Sequence, residues 1–119
     1  MEWPFFQPAG NKEKERFDAL NAMSCERIRK IGEGRPGNLH ALYAGLADAC
    51  ESALMAKADK WQGAEQNLAK YESVDPGPEL TCADDQVLRI LEKLVNAHRQ
   101  VPDQPVKVMR LSASESLDC

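Results

Sequence analysis

The residue types that most often carry chemistry are few in this sequence and widely separated along it. His40 and His98 are its two histidines, and no CxxC spacing links its four cysteines, which are Cys25, Cys50, Cys82 and Cys119. Cys82 begins a predicted helix, where the helix terminus favours a thiolate, but the carboxylates of Asp84 and Asp85 oppose it. Because no set of nucleophile, base or metal ligands emerges, the sequence predicts a protein that is not an enzyme and holds no metal or cofactor.

The segment around His40 is the best-placed candidate for catalysis, and it reads LHALYAG. It resembles the phosphoacceptor helix of histidine phosphotransfer domains, which are acidic helical bundles of similar length. The resemblance lies in a histidine followed two positions later by Leu42, while Tyr43 and Ala44 stand where that family has Lys and Gly. It implies an alternative function, a signalling relay with His40 as phosphoacceptor.

A second resemblance comes from the tripeptide WQG, which begins at Trp61, and from YESVD, which begins at Tyr71. Small secreted helical hairpins of the Trp-x-Gly type have such a tripeptide at the turn between two helices, and some carry Tyr-x-x-x-Asp in an export signal. The resemblance implies an exported hairpin with its turn at residues 61–63. This remains another alternative function.

Charge and hydropathy exclude two broad classes of partner. The 119 residues carry a formal net charge of -4 with a pI near 5.2, whereas general phosphate binding needs clustered Lys and Arg. No apolar run approaches the ~18 residues that span a membrane. Nucleic acid and membrane are therefore not expected as partners. Four cysteines are few for a disulfide scaffold, so the sequence predicts a reducing, cytoplasmic location.

The hydrophobic periodicity predicts an all-α fold: a three- to four-helix bundle, or a helical hairpin plus a third helix. Helices are expected over 11–33, 39–72 and 82–99, and Thr81 with Asp84 forms a capping box before the last one. Lys57 interrupts the apolar stripe of 39–72, which is therefore either one long helix or two helices with a turn at 57–60. One helical domain is predicted over 1–101, with residues 1–10 extended and 102–119 a flexible tail that has a strand-like run at 106–111.

The chain begins MEWPFFQP, which places Trp3, Phe5 and Phe6 before the first predicted helix. Each large aromatic left in water forfeits roughly 1.5–3 kcal/mol that burial would provide. The segment therefore either folds back onto the helices or anchors another chain. Together with the wide apolar helix faces, these three residues predict a non-enzymatic helical protein-interaction module: an adaptor, small chaperone, inhibitor or regulatory subunit that binds a protein partner or forms a homodimer.

Overall fold

The computed structural model describes residues 1–6, 13–74 and 79–111, and over these residues the chain is all-α apart from two short strands, as predicted. The helices are α1 (Lys14–Asn21), α2 (Cys25–Glu33), α3 (Leu39–Leu54), α4 (Lys60–Glu72) and α5 (Cys82–Gln100). The strands β1 (Glu2–Trp3) and β2 (Met109–Arg110) pair in parallel, with Glu2 opposite Met109. The central helix is α3, which packs against α2, α4 and α5.

The first predicted helix, 11–33, is two helices in the structure, and its first two residues lie outside the described part of the chain. The break falls at Met23, whose φ of 51° lies in the left-handed region. Ser24 then caps α2, because its hydroxyl accepts a hydrogen bond from the Arg27 amide at 3.3 Å. A serine that satisfies the free amides of a new helix competes with helix continuation. The apolar face nonetheless runs through both helices, and Phe17, Leu20 and Ile28 are buried.

The region 39–72 is a helical hairpin, so the second of the two predicted alternatives is the correct one. The chain leaves α3 after Leu54 and enters α4 at Lys60, and the exposed Lys57 lies in the turn. Trp61 and Gly63 belong to α4, so the turn expected at 61–63 from the Trp-x-Gly resemblance lies earlier in the chain. Gly63 has a packing reason instead: a Cβ there would stand 2.6 Å from Asp48 Oδ2, so the glycine lets α4 approach α3.

A disulfide between Cys25 and Cys50 joins the start of α2 to the last part of α3. None of the described cysteines is a free thiol. The small number of cysteines, which favoured a reducing location in the sequence analysis, did not predict this bond. The two sulfurs meet because α2 and α3 pack closely side by side, which brings residues 25 positions apart to a Cα–Cα distance of 5.5 Å.

The aromatic N-terminal segment folds back onto the end of α1. Trp3 and Phe6 are 0% and 1% exposed, while Phe5 is half-buried. The Trp3 indole donates to the Leu20 carbonyl at 2.8 Å. Asn21 holds the Phe6 backbone from both sides, accepting from its amide at 2.8 Å and donating to its carbonyl at 2.9 Å.

The segment after α5 returns to this N-terminal segment. Val106 is buried, and β2 pairs with β1 through the Met109 amide, which donates to the Met1 carbonyl at 2.9 Å. The Arg110 guanidinium donates to the Asn21 carbonyl. The predicted tail, 102–119, thus differs from the structure in its first part, which packs on the helices, and residues 112–119 lie outside the described part. The strand-like run at 106–111 contains β2.

Candidate binding pocket

A cavity of about 300 Å³ opens where α3 ends, α4 begins and α5 ends. Four separate stretches of the chain form its walls, and the segment after α5 closes one side. Its lining residues include Ser52, Trp61, His98, Pro102, Gln104 and Val106. Ligand pockets in proteins hold roughly 300–1,000 Å³. This cavity therefore has room for one small ring or one side chain.

Two aromatic rings form the floor of the pocket. The rings of Trp61 and His98 are stacked, with centroids 4.4 Å apart and planes inclined by 7°. Trp61 lies in the first turn of α4 and His98 in the last turn of α5, so the stack fixes the spacing of two helix ends. An ion pair of 2.7 Å between Arg99 and Glu65 joins the same two helices alongside it.

The pocket residues include two polar atoms that are buried and have no hydrogen-bond partner. These are Ser52 Oγ and His98 Nδ1; among the described residues the third such side-chain atom is Arg35 Nε, from a residue that lines a second cavity described below. Leaving a buried polar group unpaired costs about 1–3 kcal/mol. Two of the three unpartnered atoms thus belong to residues that line one cavity, and a bound group that offered them partners would recover that cost.

The turn beside the pocket carries backbone strain and exposed apolar side chains. Ala56, a lining residue, has φ of 56°, a left-handed conformation that disfavours residues with a Cβ. Leu54 and Met55 directly precede it and are 39% and 54% exposed, and Val101, 47% exposed, directly precedes Pro102 of the lining. We call Leu54, Met55 and Val101 the apolar rim. Strain, exposed apolar surface and unpaired polar atoms therefore meet at one end of the domain.

The charge at the pocket comes from one carboxylate. Asp103 is exposed and is the one Asp, Glu, Lys or Arg among the described lining residues. A negative group entering the pocket would meet this carboxylate, so the site disfavours anions. The side chains of Ser52 and His98 are not hydrogen-bonded to each other, since neither Oγ nor Nδ1 has a partner. An activated serine nucleophile needs such a contact with its base, so the arrangement favours binding over acyl transfer.

A second buried polar site lies at the start of α5, around Asp84. The carboxylate of Asp84 is fully buried and accepts from the Tyr43 hydroxyl and from Arg35 Nη2, both at 2.6 Å. It also accepts from the Thr81 amide at 3.3 Å, while its own amide donates to the Thr81 hydroxyl, which completes the predicted capping box. Burial first, and then the hydrogen bond to Asp84, raise the pKa of Tyr43 well above its usual value.

A cavity of about 330 Å³ adjoins this second site and is lined by charged residues, including Arg35. Its basic groups already have acidic partners: Arg35 is paired with Asp84, and Arg16 lies 3.0 Å from Glu13. Lys30 lies 3.3 Å from Glu26. This cavity is therefore largely self-neutralised, unlike the pocket at the other end of α5.

The structure does not bring the sequence-predicted site residues to the pocket. The rings of Trp3 and Phe6 are buried in the chain's own core, as the fold-back alternative predicted. Of the three aromatic residues, Phe5 alone keeps part of its side chain exposed. His40 is exposed in the first turn of α3, and its Nδ1 lies 3.0 Å from the Gly32 carbonyl. The phosphoacceptor alternative for His40 stays an untested prediction.

The pocket residues were visible in the sequence only as parts of helix faces. Trp61 and His98 each continue an apolar stripe, so the pattern indicates core packing for both. Ser52 has no signal of its own, because a lone serine near a helix end is ordinary. The one local hint is that a histidine on an apolar face needs a partner for each ring nitrogen, and spacing along the chain does not identify those partners.

Over residues 1–6, 13–74 and 79–111, no helix has the length and hydropathy needed to cross a bilayer. Within the same ranges, His, Cys, Asp and Glu side chains form no group of three or more that could hold a metal ion.

The chain matches no protein-family model, and neither the curated proteins nor the solved structures contain a significant match to it.

Proposed function

We propose that this protein is a non-enzymatic interaction module that binds a distinct protein partner at the pocket, with the apolar rim as the surrounding contact surface. The observation that carries the proposal is the pair of unpartnered buried atoms, Ser52 Oγ and His98 Nδ1, in the lining of a side-chain-sized cavity. Interfaces concentrate their binding energy in a few anchors that fill such pockets. The rim residues Leu54, Met55 and Val101 supply apolar area around the anchor.

This proposal moves the predicted contact surface from one end of the chain to another. The sequence predicted anchoring by Trp3, Phe5 and Phe6, but two of these rings are buried against α1. A buried ring has no area left to offer a partner. The apolar rim, by contrast, lies on the surface beside a cavity, where a partner side chain can be received.

We further propose that the interaction takes place where disulfides persist. The predicted cytoplasmic location rested on there being few cysteines for a disulfide scaffold, and the bond between Cys25 and Cys50 weakens that ground. Disulfides are stable in secreted and other oxidising environments and rare in the cytosol. An adaptor, inhibitor or small chaperone that acts outside the cytosol fits both the disulfide and the pocket.

The test is capture of the partner by the full-length tagged chain in its source cells, compared across single variants. Leu54→Glu and Val101→Glu place a charge on the apolar rim, and we expect each to lower recovery of the partner at least tenfold. Val74→Glu is the matched control, because Val74 is 47% exposed, like Val101, but lies just after the last residue of α4, at the opposite end of that helix from the pocket.

The same samples show whether the protein is in an oxidising or a reducing compartment. Free thiols are alkylated before lysis, and mass spectrometry of the captured chain then distinguishes the Cys25–Cys50 disulfide from alkylated thiols. Equal recovery with Val101→Glu and Val74→Glu would contradict the proposed surface. Complete alkylation of Cys25 and Cys50 would contradict the proposed environment.

A further inference from the structure

We infer that the pocket recognises the side chain of a tyrosine in the partner, an inference that rests on the proposed function. The cavity fits one ring, and its walls provide the apolar surfaces of Trp61, Pro102 and Val106. The unpaired atoms of its lining residues, Ser52 Oγ and His98 Nδ1, would be satisfied by an occupant that forms hydrogen bonds in addition to apolar contacts. A phenol combines an apolar ring with a hydroxyl that both donates and accepts.

The two unpaired atoms suit one hydroxyl because their hydrogen-bonding roles are adjustable. A serine hydroxyl donates or accepts according to its rotation, and His98 Nδ1 donates or accepts according to the tautomer. Both atoms belong to residues that line the cavity, and neither atom is exposed to solvent. Rotation of Ser52 about χ1 moves its hydroxyl between staggered positions, so an entering hydroxyl can recruit it. A phenylalanine ring would fill the same space and leave both atoms unpaired.

Charge disfavours the ionised side chains that could enter. Asp103 at the pocket repels the carboxylates of Asp and Glu. The cationic side chains of Lys and Arg would have to lose water to enter a cavity whose walls are mainly Ala, Pro, Val and Trp. A neutral aromatic hydroxyl pays no such desolvation cost for a charge.

The occupant is not a tyrosine from a second copy of this chain. The sequence contains two tyrosines, Tyr43 and Tyr71. Tyr43 is buried and bonded to Asp84, so its ring has no surface to offer another molecule. The side chain of Tyr71 is half-buried against its own chain, which leaves only part of the ring accessible. We therefore assign the phenol to a distinct partner.

The experiment is a titration of the full-length, disulfide-bonded chain, followed by the indole N–H signals of its two tryptophans in NMR spectra. The probes are the blocked tripeptides acetyl-Leu-Tyr-Leu-amide and acetyl-Leu-Phe-Leu-amide, and p-cresol. The Trp61 signal reports the pocket. The Trp3 signal is an internal control, because that indole is bonded to Leu20 in the core at the N-terminal segment.

We expect the Tyr peptide to shift the Trp61 signal, to leave the Trp3 signal in place, and to bind about tenfold more tightly than the Phe peptide, which is the effect of one net hydrogen bond. It should also bind at least tenfold more tightly than p-cresol, because the flanking leucines contact the apolar rim. Equal affinities for the Tyr and Phe peptides, or no binding of either, would overturn the inference. Binding of p-cresol as tight as that of the Tyr peptide would assign the pocket to a free phenol and overturn it as well.

The variant Ser52→Ala separates the hydroxyl contact from the shape of the pocket. It should bind the Phe peptide as before and lose most of the preference for the Tyr peptide. Ser73→Ala is the control, because the Ser73 hydroxyl already donates to the Lys70 carbonyl at 2.8 Å, away from the pocket. An unchanged preference in Ser52→Ala would overturn the assigned contact. If the titrations fail but the rim variants still lower recovery of the partner, only this inference is wrong. If the rim variants recover as much partner as Val74→Glu does, the proposed function is wrong.

Discussion

The Asp84 site and the pocket lie toward opposite ends of α5, and both bury polar side chains between helices. At the first site, the Asp84 carboxylate has three donors: Tyr43, Arg35 and the Thr81 amide. At the pocket, Ser52 Oγ and His98 Nδ1 have none. The Asp84 carboxylate is matched within the chain, although Arg35 Nε beside it has no partner, whereas the two polar atoms at the pocket are matched only if something binds. Burial of a polar group therefore does not by itself mark a site; the pocket differs in having two unmatched atoms from residues that line one cavity, with exposed apolar side chains around it.

The largest loss of stability is expected at the Asp84 site. Asp84→Ala removes the acceptor shared by Tyr43 and Arg35 and leaves a largely buried guanidinium and a buried hydroxyl without it. Removing one partner of a buried ion pair is strongly destabilising, and we expect a loss of about 3 kcal/mol in the free energy of unfolding. Urea denaturation followed by circular dichroism measures it.

The control for this loss is Asp85→Ala, one residue further along α5. Asp85 pairs with Arg89, and both side chains are well exposed, so its removal should change the unfolding free energy little. If Asp84→Ala and Asp85→Ala cost the same, the Asp84 site would not be the stabilising element that its geometry indicates.

A smaller effect, seen only in alkaline solution, distinguishes Tyr43 from the chain's other tyrosine. The pKa of Tyr43 is raised in the folded state, so its contribution to stability is complete below the unfolded pKa near 10 and is lost as the pH rises toward the folded pKa. In that window one such group lowers the unfolding free energy by about 1.4 kcal/mol per pH unit.

Tyr43→Phe should therefore flatten the decline in stability above pH 10, measured by urea denaturation at several pH values. Tyr71→Phe is the control: burial also raises the pKa of Tyr71, but its ring is less buried, so its effect on the slope should be smaller. Both variants keep the same lysines, so the difference between them isolates the tyrosines. Equal slopes would mean that burial and Asp84 do not set the alkaline limit.

The sequence predicted the Asp84 site far better than the pocket, because the capping box of that site is formed by residues close together in the chain. Thr81 and Asp84 are three residues apart, so their capping box is a pattern within one helix turn, and the structure confirms it. The apolar stripes of α3 and α5 are likewise set by helix periodicity. Such features depend on spacing along the chain rather than on how the helices pack.

The features that the sequence missed depend on packing. The break at Met23 rests on one left-handed residue followed by a capping serine, a choice that periodicity does not record. Cys25 pairs with Cys50 only because α2 packs against α3. The pocket needs Ser52 and His98, from different helices, to meet beside the segment after α5. No short stretch of sequence contains that arrangement.

The smallest change in unfolding free energy should be a gain rather than a loss, and it is expected at the pocket. Ser52→Ala removes a buried hydroxyl that has no partner, and alanine is also the better helix former, so we expect the unfolding free energy of the unliganded protein to rise by about 1 kcal/mol. Asn96→Ala, at an exposed position within α5, is the control for helix propensity alone and should give a smaller gain.

Urea denaturation of the two variants shows whether the Ser52 hydroxyl lacks a hydrogen-bond partner in the folded protein or has one. A loss of stability in Ser52→Ala would mean that the hydroxyl is satisfied in the folded protein, and the pocket would then resemble the Asp84 site rather than contrast with it. A gain in stability together with a lost preference for the Tyr peptide would show the two consequences of one unmatched atom. A group that costs folding free energy but contributes binding free energy is explained by its ligand, not by the fold.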